Sequence, residues 1–277
     1  MELFLYQHMV KASDPIGIFD SGIGGLTVAK AVKKLLPNEN IIYFGDTAHL
    51  PYGDKSTAAI QAYSIKICDI FLQRKCKVIL IACNSASAAA TELVKEYVGK
   101  KAKVFNVIEP VVNYIRETYQ DTNIGLIGTK QTVGSKVYES KIEGLENKLK
   151  LNSLATPLLV PMIEEGFLQG TISQDIINEY LKKPSLQEIC ALILGCTHYP
   201  LIKNQVAHYY NDQIEIIDSS EIVAKSLKAY LEYNLLINSS ANSQDQFIVS
   251  DFTDSFEELT KLFFGKQVHL EKFKLWE

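Results

Sequence analysis

The chain has 277 residues, 47% of them apolar and 22% charged, with 28 basic against 32 acidic residues and a formal net charge of −4. That composition excludes a disordered chain, which lacks the apolar residues for a core, and collagen-like or Pro-rich classes, since Gly is 15 and Pro 8. The charge balance shows no basic stripe, so no direct nucleic-acid partner is expected.

The start of the chain, Met1 to Pro15, is briefly apolar but has no basic region ahead of it and is too short for a signal peptide. The first strand-like run is IGIF at 16–19. It leads into Phe19-Asp20-Ser21-Gly22-Ile23-Gly24-Gly25 and then a helical pattern over 24–36. This Gly-rich segment lacks the lysine of a phosphate-binding loop and the spacing of a dinucleotide fingerprint. Its glycines suit a tight turn and close backbone approach by a small ligand. Asp20 then points into a cleft, or Asp20 and Ser21 cap the following helix; both readings stand on these residues alone.

A second strand, IIYFG at 41–45, is followed by the ordered loop Gly45-Asp46-Thr47-Ala48-His49-Leu50-Pro51-Tyr52-Gly53. A helix over 56–74 precedes KVILIAC at 77–83, and a helix over 85–98 precedes KVFNV at 103–107. Then come IGLIG at 124–128, a helix over 172–182, ALILGC at 191–196, IEIID at 214–218 and FIVSD at 247–251. Most of these strands are continuous apolar runs, as in parallel sheets covered on both faces. The alternation with helices predicts doubly wound α/β sheets. Asp218-Ser219-Ser220-Glu221 reads as a strand end followed by a capped helix, and residues 238–243 read as a loop.

There are five cysteines, an odd count without CxxC spacing, so a reducing compartment and a cytoplasmic protein are expected. No run of 18 apolar residues occurs, and no membrane span is expected. Two cysteines share one context. Cys83 follows one buried strand and precedes Asn84-Ser85; Cys196 follows another and precedes Thr197-His198. Each is expected to stand at a helix start, where backbone N–H groups lower a thiol pKa. Free cysteine is also a common buried residue, so packing and chemistry both remain open here. The near-repeat predicts two related halves, one presenting Cys83 and the other Cys196 from a strand end, that share a cleft. His198 stands two residues from Cys196, and Glu164 is a candidate partner for it. A Cys-x-His pair raises a zinc reading, but the remaining histidines do not group with it, and no metal is expected.

Taken together, FDSGIGG at 19–25, FGD at 44–46, PYG at 51–53, ACNSASA at 82–88, IEP at 108–110, VPMIEEG at 160–166 and LGCTHYPL at 194–201 resemble the glutamate racemases of the cofactor-independent aspartate/glutamate racemase superfamily. They occur in the family's order and spacing, with Ser85 where the family usually has Thr. The first 14 residues have no counterpart in its shortest members. The resemblance implies two pseudosymmetric, flavodoxin-like domains, residues 1–107 with 219–277 carrying Cys83 and residues 108–218 carrying Cys196, with the active site in the cleft between them. It implies interconversion of L- and D-glutamate for peptidoglycan, without pyridoxal phosphate, metal or other cofactor. It implies Cys83 as the base toward D-glutamate and Cys196 as the base toward L-glutamate. Asp20 and His198 would assist them, and Glu164 would orient His198. Asp20, Ser21, Tyr52, Gly53, Asn84, Ser85, Thr197 and His198 would bind substrate. A homodimer is one assembly open to the chain. Aspartate racemisation, and a non-catalytic role as an inhibitor of DNA gyrase, are the alternative functions.

Overall fold

The computed structural model describes residues 10–240 and 243–276. The first nine residues, and Ala241 and Asn242 of the expected loop, lie outside that range. The chain opens with β1 (Ile16–Asp20), α1 (Leu26–Leu35), β2 (Ile41–Gly45), α2 (Thr57–Gln73), β3 (Val78–Ile81), α3 (Asn84–Val98), β4 (Lys103–Asn106) and α4 (Ile108–Thr118). It continues with β5 (Asn123–Gly128), α5 (Lys130–Gly134), α6 (Val137–Glu143), β6 (Lys150–Ala155), α7 (Leu159–Glu164), α8 (Thr171–Leu181), β7 (Ala191–Gly195), α9 (Lys203–Tyr209) and β8 (Glu215–Asp218). It closes with α10 (Ser219–Tyr233), β9 (Gln246–Val249), α11 (Asp254–Phe264) and β10 (Glu271–Lys272).

These strands form two sheets, ordered β10-β9-β2-β1-β3-β4 and β6-β5-β7-β8, with every paired neighbour parallel. Each contains the same unit, in which the first strand lies between the second and the third. The chain therefore winds outward in both directions, and the carboxyl ends of the first and third strands flank a switch point where ligands settle. In one sheet those strands are β1 and β3; in the other they are β5 and β7. The eight expected strands are all present, and the four expected helices are found within a residue or two of their expected ends.

Strands β1, β2, β3 and β7 are buried along their whole length, which is why they read as unbroken apolar runs. Strand β6 was not expected. Its sequence, KLNSLA, is polar because the strand is a sheet edge whose residues are half-buried or exposed. One apolar cluster spans both sheets, joining Ile16 and Ile18 of β1 to Leu192 and Leu194 of β7. At the opposite end from the site, Lys77 is fully buried beside Glu39 at 2.5 Å and also donates to the Ala12 and Leu236 carbonyls. That ammonium ties together the first residues of β1's approach, the α1–β2 turn and the segment leaving α10. Among the described residues no helix is long and apolar enough to cross a membrane.

Candidate active site

A cavity of about 150 Å³ opens where the strand ends of the two sheets meet. Ser21, Tyr52, Gly53, Cys83, Asn84 and Ser85 line it from the first sheet's loops, and Thr129, Thr156, Glu164, Cys196, Thr197 and His198 from the second's. Every site residue expected from the sequence borders this cavity except Asp20. Asp20 is fully buried behind the wall, and its Oδ2 accepts the amides of Gly22 at 3.2 Å and Gly25 at 3.0 Å. It therefore shapes the turn into α1, while its Oδ1 reaches the Thr197 hydroxyl at 3.5 Å. The expectation that it points into the cleft is corrected accordingly. Burial raises the Asp20 carboxyl above its ordinary value, against the opposing effect of His198 and the turn amides.

Cys83 caps α3: its sulfur accepts the Ala86 amide at 3.4 Å and lies 3.8 Å from the Ser21 hydroxyl. The helix start nevertheless does not lower this thiol. Burial and then the Asp20 charge push it up to about 12, outweighing the Ala86 and Ser21 contacts. Cys196 departs from expectation differently. No α-helix follows it directly; a turn leads into a 3₁₀ segment at Tyr199–Ile202, with Pro200 in its first turn, before α9 begins. What stands beside this sulfur is a side chain, His198, whose Nδ1 is 3.7 Å away.

The His198 ring is 5% exposed, and its Nε2 meets Glu164 Oε1 at 3.0 Å. Burial pulls the imidazole pKa down, but the contacts with Cys196 and Glu164 overcome it and raise it to about 10. Contacts at both ring nitrogens thus favour the charged imidazolium over the neutral ring. Glu164 ends α7 rather than starting a helix, so it faces His198 instead of serving a helix dipole. The ring also meets the turn that leads into α1. A Cβ on Gly24 would stand 2.3 Å from His198 Cε1, so only glycine admits the ring here. Thr27 fastens the same junction by donating to the Thr197 carbonyl at 3.0 Å.

The rest of the wall is rich in donors. Asn84 is 2% exposed; its Oδ1 accepts from Tyr138, and its buried Nδ2 has no partner. An unpaired buried amide is costly, and an anionic ligand oxygen would satisfy it. Ser85 Oγ lies 2.9 Å from Thr129 Oγ1 and 3.4 Å from Thr132 Oγ1, a hydroxyl cluster that joins the two sheets. Gly53 packs against Thr129, where a Cβ would come within 2.9 Å. Thr129 and Thr156 were not singled out from the sequence. Thr129 directly follows the IGLIG run and could have been found by the strand-end rule; Thr156 follows β6, whose polar pattern hid it. Among the described residues no group of three or more His, Cys, Asp or Glu side chains is placed to hold a metal ion.

Residues 26–227 match the Asp/Glu/hydantoin racemase family. A glutamate racemase of Chlorobaculum parvum is 40% identical over 263 residues, covering 95% of this chain and 96% of its own. The chain belongs to the glutamate racemase family. Solved racemases share its fold over nearly their whole length. The Francisella tularensis glutamate racemase, solved with D-glutamate, is 38% identical with a TM-score of 0.89 over 95% of this chain and 98% of its own. The Bacillus anthracis isoform RacE1 is 30% identical with the same TM-score over 98% and 99%. As a member of this racemase family the chain is a cofactor-independent amino-acid isomerase. Its two-sheet architecture is that of the racemase structures.

Proposed function

We propose that the chain interconverts L- and D-glutamate, taking the α-proton from one face and returning a proton to the other, with Cys83 and Cys196 as the two acid/base groups. The observation that carries this reading is that two sulfurs, each following the third strand of its own sheet, line a single cavity. The D-glutamate complex of the Francisella relative supports the choice of substrate.

Racemisation needs one thiolate and one thiol at the same time. Toward L-glutamate, Cys196 takes the proton and Cys83 gives one. The high pKa of Cys83 keeps its proton in place for that delivery. His198, held by Glu164, donates to the Cys196 sulfur and keeps its orientation. Toward D-glutamate the roles reverse: Cys83 takes the proton and Cys196 gives one, and the contacts that favour the Cys83 thiolate are the Ala86 amide and the Ser21 hydroxyl, against the opposing Asp20 charge. The α-proton is very weakly acidic, so the carbanion-like species must be met by donors already in place. Asn84 Nδ2, the Ser85–Thr129 hydroxyls, Thr197 and the first free amides of α3 are such donors. Ser21, Tyr52, Gly53 and His198 complete the substrate contacts. The two sheets are the cores of two domains, residues 1–107 with 219–277 and residues 108–218. The free state of the five cysteines fits a cytoplasmic enzyme whose D-glutamate enters peptidoglycan.

The test is incubation of the purified chain with L-glutamate in D₂O. Two bases place solvent deuterium in the D-product while recovered L-glutamate keeps its own α-proton. Equal deuterium in both at low conversion would refute the two-base scheme, and an unchanged circular dichroism signal would refute glutamate racemisation itself.

A further inference from the structure

Asp46 follows β2 and is completely buried, yet it does not border the cavity. Its carboxylate gathers three donors. Tyr52 hydroxyl donates to Oδ2 at 2.6 Å, Ser250 hydroxyl donates to Oδ1 at 2.7 Å, and His49 Nδ1 meets Oδ1 at 2.8 Å. The Asp46 amide also donates to the Asp20 carbonyl at 3.0 Å. Tyr52 is fully buried and forms part of the cavity wall with Gly53.

Ser250 comes from the far end of the chain. It follows β9, which pairs with β2, and its own amide donates to the Gly45 carbonyl at 3.0 Å. Its Oγ is used twice: it donates to Asp46 and accepts the Ala48 amide at 2.9 Å. Next to it, Thr47 donates to the Asp251 carbonyl at 2.5 Å and accepts the Asp251 amide at 2.9 Å. The 46–48 loop is thus stitched to a segment that lies beyond residues 26–227, the stretch that matches the racemase family.

We infer that Ser250 is a positioning residue for substrate binding, acting through Asp46 to set Tyr52 and the 50–53 turn that walls the cavity. The inference rests on the glutamate racemase reading of that cavity. A carboxylate that serves three side chains has its plane set by all of them. Without the Ser250 hydroxyl, Asp46 Oδ1 keeps only His49, the Ala48 amide loses its acceptor, and the carboxylate rotates with Tyr52 attached. Gly53, packed against Thr129 with no space for a Cβ, transmits that displacement to the substrate wall. The loss falls on a wall that holds substrate rather than on either thiol, so binding is affected more than the chemical step.

The experiment compares Ser250→Ala, Ser250→Thr and Lys272→Ala with the unaltered chain, measuring kcat and KM for both enantiomers and thermal unfolding. Lys272→Ala removes an exposed pair with Asp251 on the same segment and controls for its anchoring. The expected result is a KM raised about tenfold in Ser250→Ala for both enantiomers, with kcat within about twofold. Ser250→Thr restores the hydroxyl and the KM, and Lys272→Ala leaves KM unmoved. Combined with Tyr52→Phe, Ser250→Ala adds little further, because both act through one carboxylate. A lower melting temperature with unchanged KM, or fully multiplicative effects with Tyr52→Phe, overturns the inference while leaving glutamate racemisation intact. An unaltered chain that is inactive on glutamate overturns both.

Discussion

Gly24→Ala places a methyl group against His198 and Thr197 without removing any polar group of the site. The new Cβ would stand 2.3 Å from His198 Cε1, 2.4 Å from Nδ1 and 2.7 Å from Thr197 Oγ1. Carbon–carbon contacts rest at about 3.5–4.0 Å, so the ring must retreat by more than about 1 Å. Its present contacts are 3.0 Å to Glu164 and 3.7 Å to the Cys196 sulfur, and a retreat of that size breaks at least one. Phe263 packs edge-on with its centroid 5.1 Å away, which limits where the ring can go. Overpacking of this kind destabilises by about 1–3 kcal/mol. Misplacement of a reacting constellation by about 1 Å costs on the order of 10²-fold in rate. Racemisation is followed by circular dichroism from both enantiomers, with thermal unfolding measured alongside. L- and D-glutamate have equal free energies, so kcat/KM must fall by the same factor in both directions; unequal losses would signal an assay fault. Gly134→Ala, whose Cβ meets nothing within 4 Å, serves as the control and retains activity. A folded Gly24→Ala protein with kcat/KM within about threefold of the unaltered chain would show that the His198 position is not critical.

Three further outcomes are expected. Cys83→Ser and Cys196→Ser each lower racemisation by about 10²–10⁴-fold, because serine is a far weaker acid than cysteine. Each still eliminates a β-halide from one enantiomer of a halogenated glutamate, and the enantiomer differs between the two; both variants acting on the same enantiomer would contradict the opposite-face assignment. Activity declines on the alkaline side as His198, protonated up to about pH 10, loses its proton. Glu164 is one of the contacts that raise that value, so Glu164→Gln moves the alkaline limb of the pH–rate profile to lower pH, and an unmoved limb would dissociate Glu164 from it. The same histidine has a folded pKa above its ordinary 6.5. Its contribution to stability is therefore complete below about pH 6.5 and is lost as pH rises toward 10. Finally, Lys77→Met leaves Glu39 buried without its cation and destabilises by about 3–5 kcal/mol in chemical denaturation; a loss below about 1 kcal/mol would mean that the Asn238 amide, 2.8 Å from Glu39 Oε1, suffices.

The chain's sequence determined the α/β class, the strands and the two cysteine motifs, because buried parallel strands leave unbroken apolar runs and each motif directly follows one. The nearness of His198 to Cys196 was also legible as a candidate from their spacing, although only the turn after β7, in place of a helix, brings the ring to the sulfur. Three things were decided only by the fold. The edge strand β6 carries a polar sequence because half its surface faces water, so neither it nor Thr156 at its end could be seen. The Cys83 pKa depended on depth: its place at a helix start is local, but burial and the Asp20 charge come from packing and outweigh it. The fit of Gly24 against His198 and of Ser250 against Asp46 joins residues about 174 and 204 positions apart. Such contacts leave no periodicity in the chain, because nothing but three-dimensional packing brings those residues together.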